Sequence, residues 1–266
     1  MPALQIGSTG DAVKRLQTAL KAKGAYNGPI SGTFDNATDA AVRAFQKAGG
    51  LGADGVAGPA TKASLGIIVP PGPDISATVT VDKVMTMMPD TSKPNVAAHL
   101  PNILTALKAA GLSDRTMILM ALATIYVETG QFAPIGEFES GQNTSPGGVP
   151  FGRYDDRTDL GNLGPPDGAT FKGRGFVQVT GRNNYAKYGP LVGADLIANP
   201  DLALDSVIAS KILATYLKGV ERAVRVATAE DALDDMRRTV NGGTNGLDVF
   251  TKAYRKGQPL FPQIGS

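Results

Sequence analysis

Glu128 is the first residue whose type and position suggest chemistry. Apolar residues at helical spacing predict a helix over about residues 114–129, with Ser113 as its N-cap and Gly130 as its stop, so Glu128 lies in the last turn. There the negative end of the helix dipole and the apolar neighbours both disfavour the ionised form of a carboxyl group. A carboxyl group that holds its proton near neutral pH is suited to act as a general acid. The alternative is an ordinary solvated glutamate.

Two further carboxylates follow this helix. Glu137 and Glu139 are two positions apart, so in an extended strand they would point to the same side. Cleavage of a glycosidic bond normally uses a pair of carboxyl groups, and either residue could face Glu128 across a cleft. Spacing alone does not distinguish this interpretation from a solvated acidic loop, so both residues stay candidates.

The composition excludes several other chemistries. The chain of 266 residues has no cysteine and one histidine, so a thiol nucleophile, a disulfide framework and a Cys/His zinc site cannot be built. We expect no metal and no cofactor, and we interpret His99 as a surface or packing residue. The formal net charge of +2 provides no electrostatic footprint for binding nucleic acid.

No segment suggests export or membrane insertion. The N-terminus lacks a basic stretch that leads into an apolar run, and the most apolar segment, residues 117–126, is too short to span a bilayer. We therefore expect a soluble protein without a signal peptide. Separately, we expect a monomer. The length and the apolar content of 42% predict one large or two ordinary domains.

The first 66 residues contain an internal repeat. Helices are predicted over about residues 11–23 and 37–48. The pattern of residues 32–38 is repeated at residues 55–61, and each copy is a turn that leads into a helix. Gly58 then suits the cap of a third helix, with a proline as its first residue. Within the repeat we interpret the glycines and threonines individually as turn and cap residues.

The motifs in this region are Gly-x-Phe-x-x-x-Thr, Ala-Val-x-x-Phe-Gln and Asp-Gly-x-x-Gly-x-x-Thr. Together they resemble the three-helix peptidoglycan-binding module of cell-wall enzymes, over nearly all of residues 4–65. The resemblance implies that bacterial peptidoglycan is the partner, bound in a shallow groove between helices. The proline-rich residues 67–84 predict a stiff linker, which leaves residues 1–66 as the binding domain and 85–266 as the catalytic domain.

The second domain contains Glu-Thr-Gly at 128–130, Asp-Leu-Gly-Asn at 159–162, Gly-Arg-Gly-Phe-Val-Gln-Val-Thr-Gly-Arg-Asn-Asn-Tyr at 173–185 and Val-Asn-Gly-Gly-Thr-Asn-Gly-Leu at 240–247. In this order the motifs closely resemble family 19 glycoside hydrolases, a chitinase-like group of the lysozyme-like superfamily that includes many phage endolysins. The resemblance implies a mainly α protein. Its parts are a small three-helix binding domain and a larger α-rich, lysozyme-like (α+β) catalytic domain with a short β-hairpin region.

Carried over residue by residue, the resemblance implies that Glu128 is the general acid and that Glu137, nine positions later, is the base that activates water. Gln178 and Thr180 match positions that contact the sugar and help to hold the water, and Asn241 matches an asparagine that binds substrate. Period-two alternation independently predicts that Gln178 and Thr180 lie on one face of a strand.

Arg174 and Tyr185 are further candidates for substrate binding. Arg174 and Arg182 could reach carboxylates of peptidoglycan, and Tyr185 could form a platform for a sugar ring; structural ion pairs and a core tyrosine are the alternatives. The chain departs from the family pattern at Val127, where a histidine commonly precedes the acid, and at Gln131, where a second glycine is usual. Because of these two departures, the resemblance does not identify the substrate, although the acid itself is in place.

The resemblance predicts inverting hydrolysis of the β-1,4 glycan backbone between amino sugars. A lytic transglycosylase, a chitinase and a non-catalytic wall-binding protein are the alternatives. The module order resembles endolysins of phages that infect Gram-negative bacteria, which implies a stay in the host cytoplasm before lysis and action on periplasmic peptidoglycan. A prophage product and a secreted effector would have the same features.

Overall fold

The computed structural model describes residues 3–67, 71–229, 232–241 and 243–261. The chain forms two compact units, Met1–Pro71 with Val220–Leu247 and Gly72–Gly219 with Asp248–Ser266. Helices dominate both units, and the described residues contain one sheet of two short strands. The prediction of a mainly α protein is therefore confirmed.

Three helices form the N-terminal part of the first unit: α1 (Asp11–Ala22), α2 (Asn36–Ala48) and α3 (Pro59–Ser64). Their boundaries agree with those predicted from apolar spacing, and Gly58 is the N-cap of α3, as expected. Apolar side chains from the helices and the turns between them build the core: Leu4, Val13, Leu16, Leu20, Tyr26, Phe34, Ala41, Val42, Ala57 and Leu65.

A buried glutamine braces the first copy of the internal repeat. Gln17 is fully buried, and its Oε1 accepts a hydrogen bond from Gly32 N at 3.0 Å. Its Nε2 donates to Thr33 O at 3.0 Å and to Thr38 Oγ1 at 3.1 Å. The amide group of Gln17 thus forms hydrogen bonds with both a backbone N–H and a backbone carbonyl of the turn.

Gln46 makes the equivalent contacts in the second copy. Its Oε1 accepts from Gly55 N at 3.0 Å, and its Nε2 donates to Val56 O at 2.9 Å and to Thr61 Oγ1 at 3.0 Å. The repeat in the sequence is therefore a repeated hydrogen-bond network. Its two threonines are buried partners of a glutamine rather than simple cap residues.

The remaining chain supplies two short strands, β1 (Ile135–Gly136) and β2 (Arg174–Gly175), which pair antiparallel with Ile135 opposite Gly175. Residues 137–173 separate them, so the two strands of the predicted hairpin region are joined by a long segment rather than by a tight turn. None of the helices in the described parts of the chain has the length and apolarity needed to cross a membrane. The helices are α4 (Val81–Met87), α5 (Lys93–Ala109), α6 (Arg115–Thr129), α7 (Asp167–Thr170), α8 (Arg182–Val192), α9 (Ser206–Ala229), α10 (Leu233–Asn241) and α11 (Leu247–Gly257).

Helix α6 runs through the core of the second unit. Every residue from Met117 to Ile125 is buried, which explains why this is the most apolar segment of the chain. Asp114, rather than the predicted Ser113, caps the helix by accepting a hydrogen bond from Thr116 N at 3.1 Å. Gly130 ends it with a φ of 64°, a conformation that glycine adopts without strain.

The division into units differs from the predicted domains in two places. Residues 72–84, expected to be linker, belong to the second unit, where Ile75 and Val79 are buried and Ile75 N donates to Ser113 O at 2.9 Å. Val220–Leu247, expected in the catalytic domain, falls in the first unit. The prolines predict a stiff backbone and the apolar spacing predicts a helix, but neither feature shows which core a segment packs against.

Candidate active site

Glu128 lies in the last turn of α6, as predicted, and is half-buried. The residues after it are held by the N-terminal end of α5. Thr91 Oγ1 donates to Gly130 O at 3.4 Å, and Asn95 Nδ2 donates to Gln131 O at 2.8 Å. The helix end that carries Glu128 is therefore fixed by contacts with a neighbouring element.

Glu137 follows β1, and its carboxylate accepts three hydrogen bonds. Asn143 Nδ2 at 2.9 Å and Tyr154 Oη at 2.8 Å both donate to Oε1, and Gly173 N donates to Oε2 at 3.0 Å. The backbone is fixed as well, because Glu137 N donates to Gly173 O at 2.7 Å. Three donors hold the carboxylate in one orientation, and Oε2 keeps capacity to accept a further hydrogen bond.

Tyr154 is a persistent donor to this carboxylate. Burial, followed by the hydrogen bond and the negative charge of Glu137, raises the pKa of the Tyr154 phenol to about 12. Asn143 is fully buried, and its Nδ2 also donates to Phe138 O at 2.8 Å, which links the two ends of the loop at residues 138–143. The phenol therefore stays protonated at neutral pH, and the amide is held in place by a second bond.

Gly173 brings three of the predicted site residues together. A methyl carbon built on Gly173 would lie 2.9 Å from Gln178 Oε1, 3.1 Å from Glu137 Oε2 and 3.1 Å from Thr180 Oγ1. Three oxygen atoms thus converge beside a residue that has no side chain. This arrangement can place a carboxylate, an amide and a hydroxyl around one polar ligand, which is what activation of a water molecule requires.

The strand predicted through Gln178 and Thr180 is wrong in its extent. β2 ends at Gly175, and residues 176–178 form a turn in which Gln178 has a φ of 48°. Gln178 Nε2 donates to Ile135 O and Gly175 O at 3.0 Å each, and these bonds offset the unfavourable backbone conformation. Simple alternation fails here because Gln178 lies in a turn, and Val179, between the two polar residues, forms only an isolated bridge with Arg174.

Arg174 and Tyr185 lie in the interior of the second unit. Arg174 Nε donates to Asp201 Oδ1 at 2.8 Å, and its Nη1 donates to Tyr185 Oη at 3.0 Å. Tyr185 has no exposed surface, and its phenol donates to Lys172 O at 2.7 Å. These positions fit the alternatives of an ion pair and a core tyrosine, because a buried ring offers no face to a sugar. We leave both residues out of the proposed substrate contacts.

Three other candidates have different placements. Asn241 ends α10, but its side chain lies outside the described residues, so its role stays a prediction. Glu139 is exposed. His99 Nδ1 is hydrogen-bonded with Ser206 Oγ at 2.9 Å and its ring contacts Phe176 edge-on, with 6.0 Å between centroids, which is a packing role.

The sequence analysis does not predict Tyr154 and Asn143 as residues of the site. Asn143 belongs to no recognisable pattern, and its contact with Glu137 depends on how the loop folds. Tyr154 could have been suspected, because it stands just before the Asp-Leu-Gly-Asn motif whose polar residues need partners. In the structure Asn162 of that motif donates from Nδ2 to Tyr154 O at 2.7 Å.

Comparison with known proteins finds matches to two families within the chain. Residues 9–65 match the family described as a peptidoglycan binding domain, and residues 123–222 match glycoside hydrolase family 19, described as Chitinase class I. A glycosyl hydrolase family 19 domain-containing protein of Haemophilus influenzae is 33% identical over 102 residues. That alignment covers 38% of this chain and 48% of the relative, so the chain spans about half of the relative's length.

Two further similarities involve one relative and one solved structure. A zinc D-Ala-D-Ala carboxypeptidase of Streptomyces albus G is 49% identical over 63 residues, which are 22% of this chain and 24% of that protein. Chitinase C from Streptomyces griseus has the same fold, with a TM-score of 0.52 at 21% identity over 69% of this chain and 76% of the other. Residues 123–222 therefore match glycoside hydrolase family 19, and a match to a peptidoglycan-binding domain precedes them in the same chain.

Proposed function

We propose that the protein is a peptidoglycan hydrolase that cleaves β-1,4 bonds between amino sugars of the glycan backbone. One observation carries the proposal: the Glu137 carboxylate is held by three donors beside Gln178 and Thr180. The peptidoglycan-binding domain in the same chain supports the choice of polymer. A tethered binding domain raises the effective concentration of the catalytic domain at an insoluble substrate.

In the proposed reaction Glu128 donates a proton to the glycosidic oxygen while the bond from that oxygen to the anomeric carbon breaks. Water attacks the anomeric carbon from the opposite face, and Oε2 of Glu137 takes a proton from that water. Gln178 and Thr180 orient the water, and the anomeric configuration inverts. Inverting enzymes hold their two carboxyl groups about 6.5–9.5 Å apart to admit the water.

Glu137 is a better candidate for the base than Glu139. Its carboxylate is oriented by Asn143, Tyr154 and Gly173, whereas Glu139 is exposed. A general base must be held within reach of the proton that it removes, and an exposed glutamate on a loop samples many rotamers. Glu139 therefore serves as a matched control for Glu137.

The test uses purified Gram-negative sacculi and measures the release of reducing ends. We expect Glu128→Gln and Glu137→Gln each to lower the rate by roughly 100-fold or more, while Glu139→Gln keeps most of the wild-type rate. Co-sedimentation with sacculi should be equal for all four proteins. Full lysis by the Glu128 variant, or wild-type binding without cleavage, would overturn the proposal.

Product analysis decides the reaction type. Mass spectrometry should find hydrated reducing ends, and NMR during turnover should find the anomer opposite to the substrate configuration. Anhydro-muramyl ends would instead identify a lytic transglycosylase, which uses no water.

A chitinase is the second candidate, favoured by the match to Chitinase class I and by the shared fold of Streptomyces griseus chitinase C. Chitin has the same β-1,4 amino-sugar backbone but lacks the lactyl and peptide substituents. Parallel assays on soluble chitin oligomers and on sacculi separate the two. Cleavage of chitin oligomers alone would replace the peptidoglycan assignment.

We further propose an endolysin role, in which a monomeric protein stays in the host cytoplasm and reaches the periplasmic peptidoglycan at lysis. Cells of a Gram-negative host that express the protein should lyse only after the inner membrane is permeabilised. Light scattering during gel filtration measures the oligomeric state. Lysis without permeabilisation would contradict the proposed route.

A further inference from the structure

We propose that Tyr154 is a positioning residue that selects which oxygen of Glu137 accepts the proton from water. The inference rests on the proposed function, since it assumes that Glu137 is the base. It assigns a role to a residue outside the family motifs and to the Asp-Leu-Gly-Asn segment, whose part in the site is otherwise unexplained.

The two oxygen atoms of Glu137 have different surroundings. Oε1 accepts from two side chains, Tyr154 Oη at 2.8 Å and Asn143 Nδ2 at 2.9 Å, which use both of its lone pairs. Oε2 accepts one backbone donor, Gly173 N at 3.0 Å, and it is the oxygen that lies beside Gln178 and Thr180. Tyr154 and Asn143 thus occupy Oε1, and Oε2 is left to accept a proton.

The donor on Oε1 does not change with pH in the working range. The pKa of the Tyr154 phenol is raised to about 12, first by burial and then by the hydrogen bond and charge of Glu137. The backbone that carries the phenol is fixed, because Tyr154 ends a short 3₁₀-helix, Gly152–Tyr154, and its carbonyl accepts a hydrogen bond from Asn162. The bond to Glu137 therefore constrains the carboxylate and not only the tyrosine.

Asn162 connects this donor to a second element. Its Nδ2 donates to Tyr154 O at 2.7 Å, and its Oδ1 accepts from Arg182 N, the first residue of α8, at 2.9 Å. Gly161 has a φ of 73°, which favours glycine, and a methyl carbon at this position would lie 2.1 Å from Asn183 Cγ, so the Asn183 side chain would have to move. Through Asn162, the Asp-Leu-Gly-Asn segment therefore links the start of α8 to the backbone of Tyr154 by hydrogen bonds.

The experiment compares Tyr154→Phe with Tyr188→Phe in the full-length protein, using dye-labelled sacculi. Tyr188 is a buried tyrosine of the same unit whose phenol makes no hydrogen bond within the described ranges, so it controls for the substitution itself. We expect Tyr154→Phe to lower kcat roughly 10-fold with the apparent KM within about twofold, because a donor to a charged group is lost. Tyr188→Phe should leave both constants unchanged.

A pH profile distinguishes positioning from a structural role. The lower-pH limb of kcat/KM should move to higher pH in Tyr154→Phe, because the ionised carboxylate has lost a donor, when both proteins are assayed well below their thermal midpoints. Asn162→Ala should move the same limb in the same direction by a smaller amount. A fall in rate that follows lost thermal stability, with an unmoved limb, would overturn the positioning role.

The outcomes also separate this inference from the proposed function. If wild-type protein cleaves sacculi and Glu137→Gln does not, but Tyr154→Phe matches wild type, only the positioning inference fails. If Glu137→Gln retains full activity, the assignment of the base fails and the role of Tyr154 fails with it.

Discussion

Glu137 and Gly173 are hydrogen-bonded in both directions. Glu137 N donates to Gly173 O at 2.7 Å, and Gly173 N donates back to the side-chain Oε2 at 3.0 Å. The same glycine that extends the β1–β2 pairing by one residue therefore also orients the carboxylate. Backbone pairing and the geometry of the proposed base are coupled at this point.

Replacement of Gly173 by alanine should damage activity more than stability. The added methyl group would lie within 3.1 Å of oxygen atoms of Glu137, Gln178 and Thr180, so these side chains must move apart. We expect a loss of roughly 10- to 100-fold in the rate on sacculi, since misplacement of a catalytic group by about 1 Å has effects of this size. Gly219→Ala, at an exposed helical position with no atom near the new methyl group, should keep the wild-type rate. Equal rates for both variants would show that the convergence at Gly173 is not needed.

Tyr185→Phe tests whether this residue is a core tyrosine or a sugar platform. Its phenol donates to Lys172 O and accepts from Arg174, so its removal should cost roughly 1–2 kcal/mol of the free energy of unfolding. The apparent KM should not change, because the ring is fully buried. Urea unfolding and steady-state kinetics measure the two quantities. A KM raised several-fold at unchanged stability would favour the platform.

Gln46→Ala should loosen one copy of the internal repeat and spare the other. The substitution removes the bonds of Gln46 to Gly55 N, Val56 O and Thr61 Oγ1 and leaves the buried Gly55 N without its acceptor, at a cost of roughly 2 kcal/mol or more. Hydrogen exchange followed by mass spectrometry should find faster exchange at residues 53–62 but not around Gln17. Gln5→Ala, at an exposed position, is the control and should change neither region. Uniform acceleration over both copies would contradict the independence of the two networks.

The ion pair between Arg182 and Asp167 should make stability depend on pH in the acid range. The hydrogen bond from Arg182 is the largest cause that holds the pKa of Asp167 below its ordinary value of 3.8. A lowered pKa in the folded state gives stability that is fully present above the ordinary value and is lost as pH falls through the folded value. The melting temperature of Arg182→Gln should therefore lie well below wild type at neutral pH and approach it as pH falls below 3.8 and through the lowered pKa of Asp167.

The control for this pair is Arg157→Gln. Arg157 and its partner Asp159 are both exposed, and exposed ion pairs contribute little to stability. We expect its melting temperature to follow that of wild type at every pH. A difference for Arg182→Gln that does not shrink in acid would mean that its effect comes from lost packing and not from the charge on Asp167.

The sequence by itself determined the helices, the resemblance to two families and the choice of most candidate residues. Local spacing suffices for α2 and α6, because an amphipathic or buried helix repeats its apolar residues every few positions. The glycines at positions 58 and 130 were recognised as helix ends because cap chemistry is also local. The position of Glu128 in a last helical turn followed directly from these local rules.

Only the tertiary structure decided which side chains meet. Tyr154 reaches Glu137 across 17 positions, and Gly173 reaches it across 36, through contacts that no local rule specifies. The same limit explains why the sequence predicts Arg174 and Tyr185 as substrate contacts although both are buried. A residue type reports what a group can donate or accept, whereas its partner and its exposure to a substrate depend on how distant segments pack.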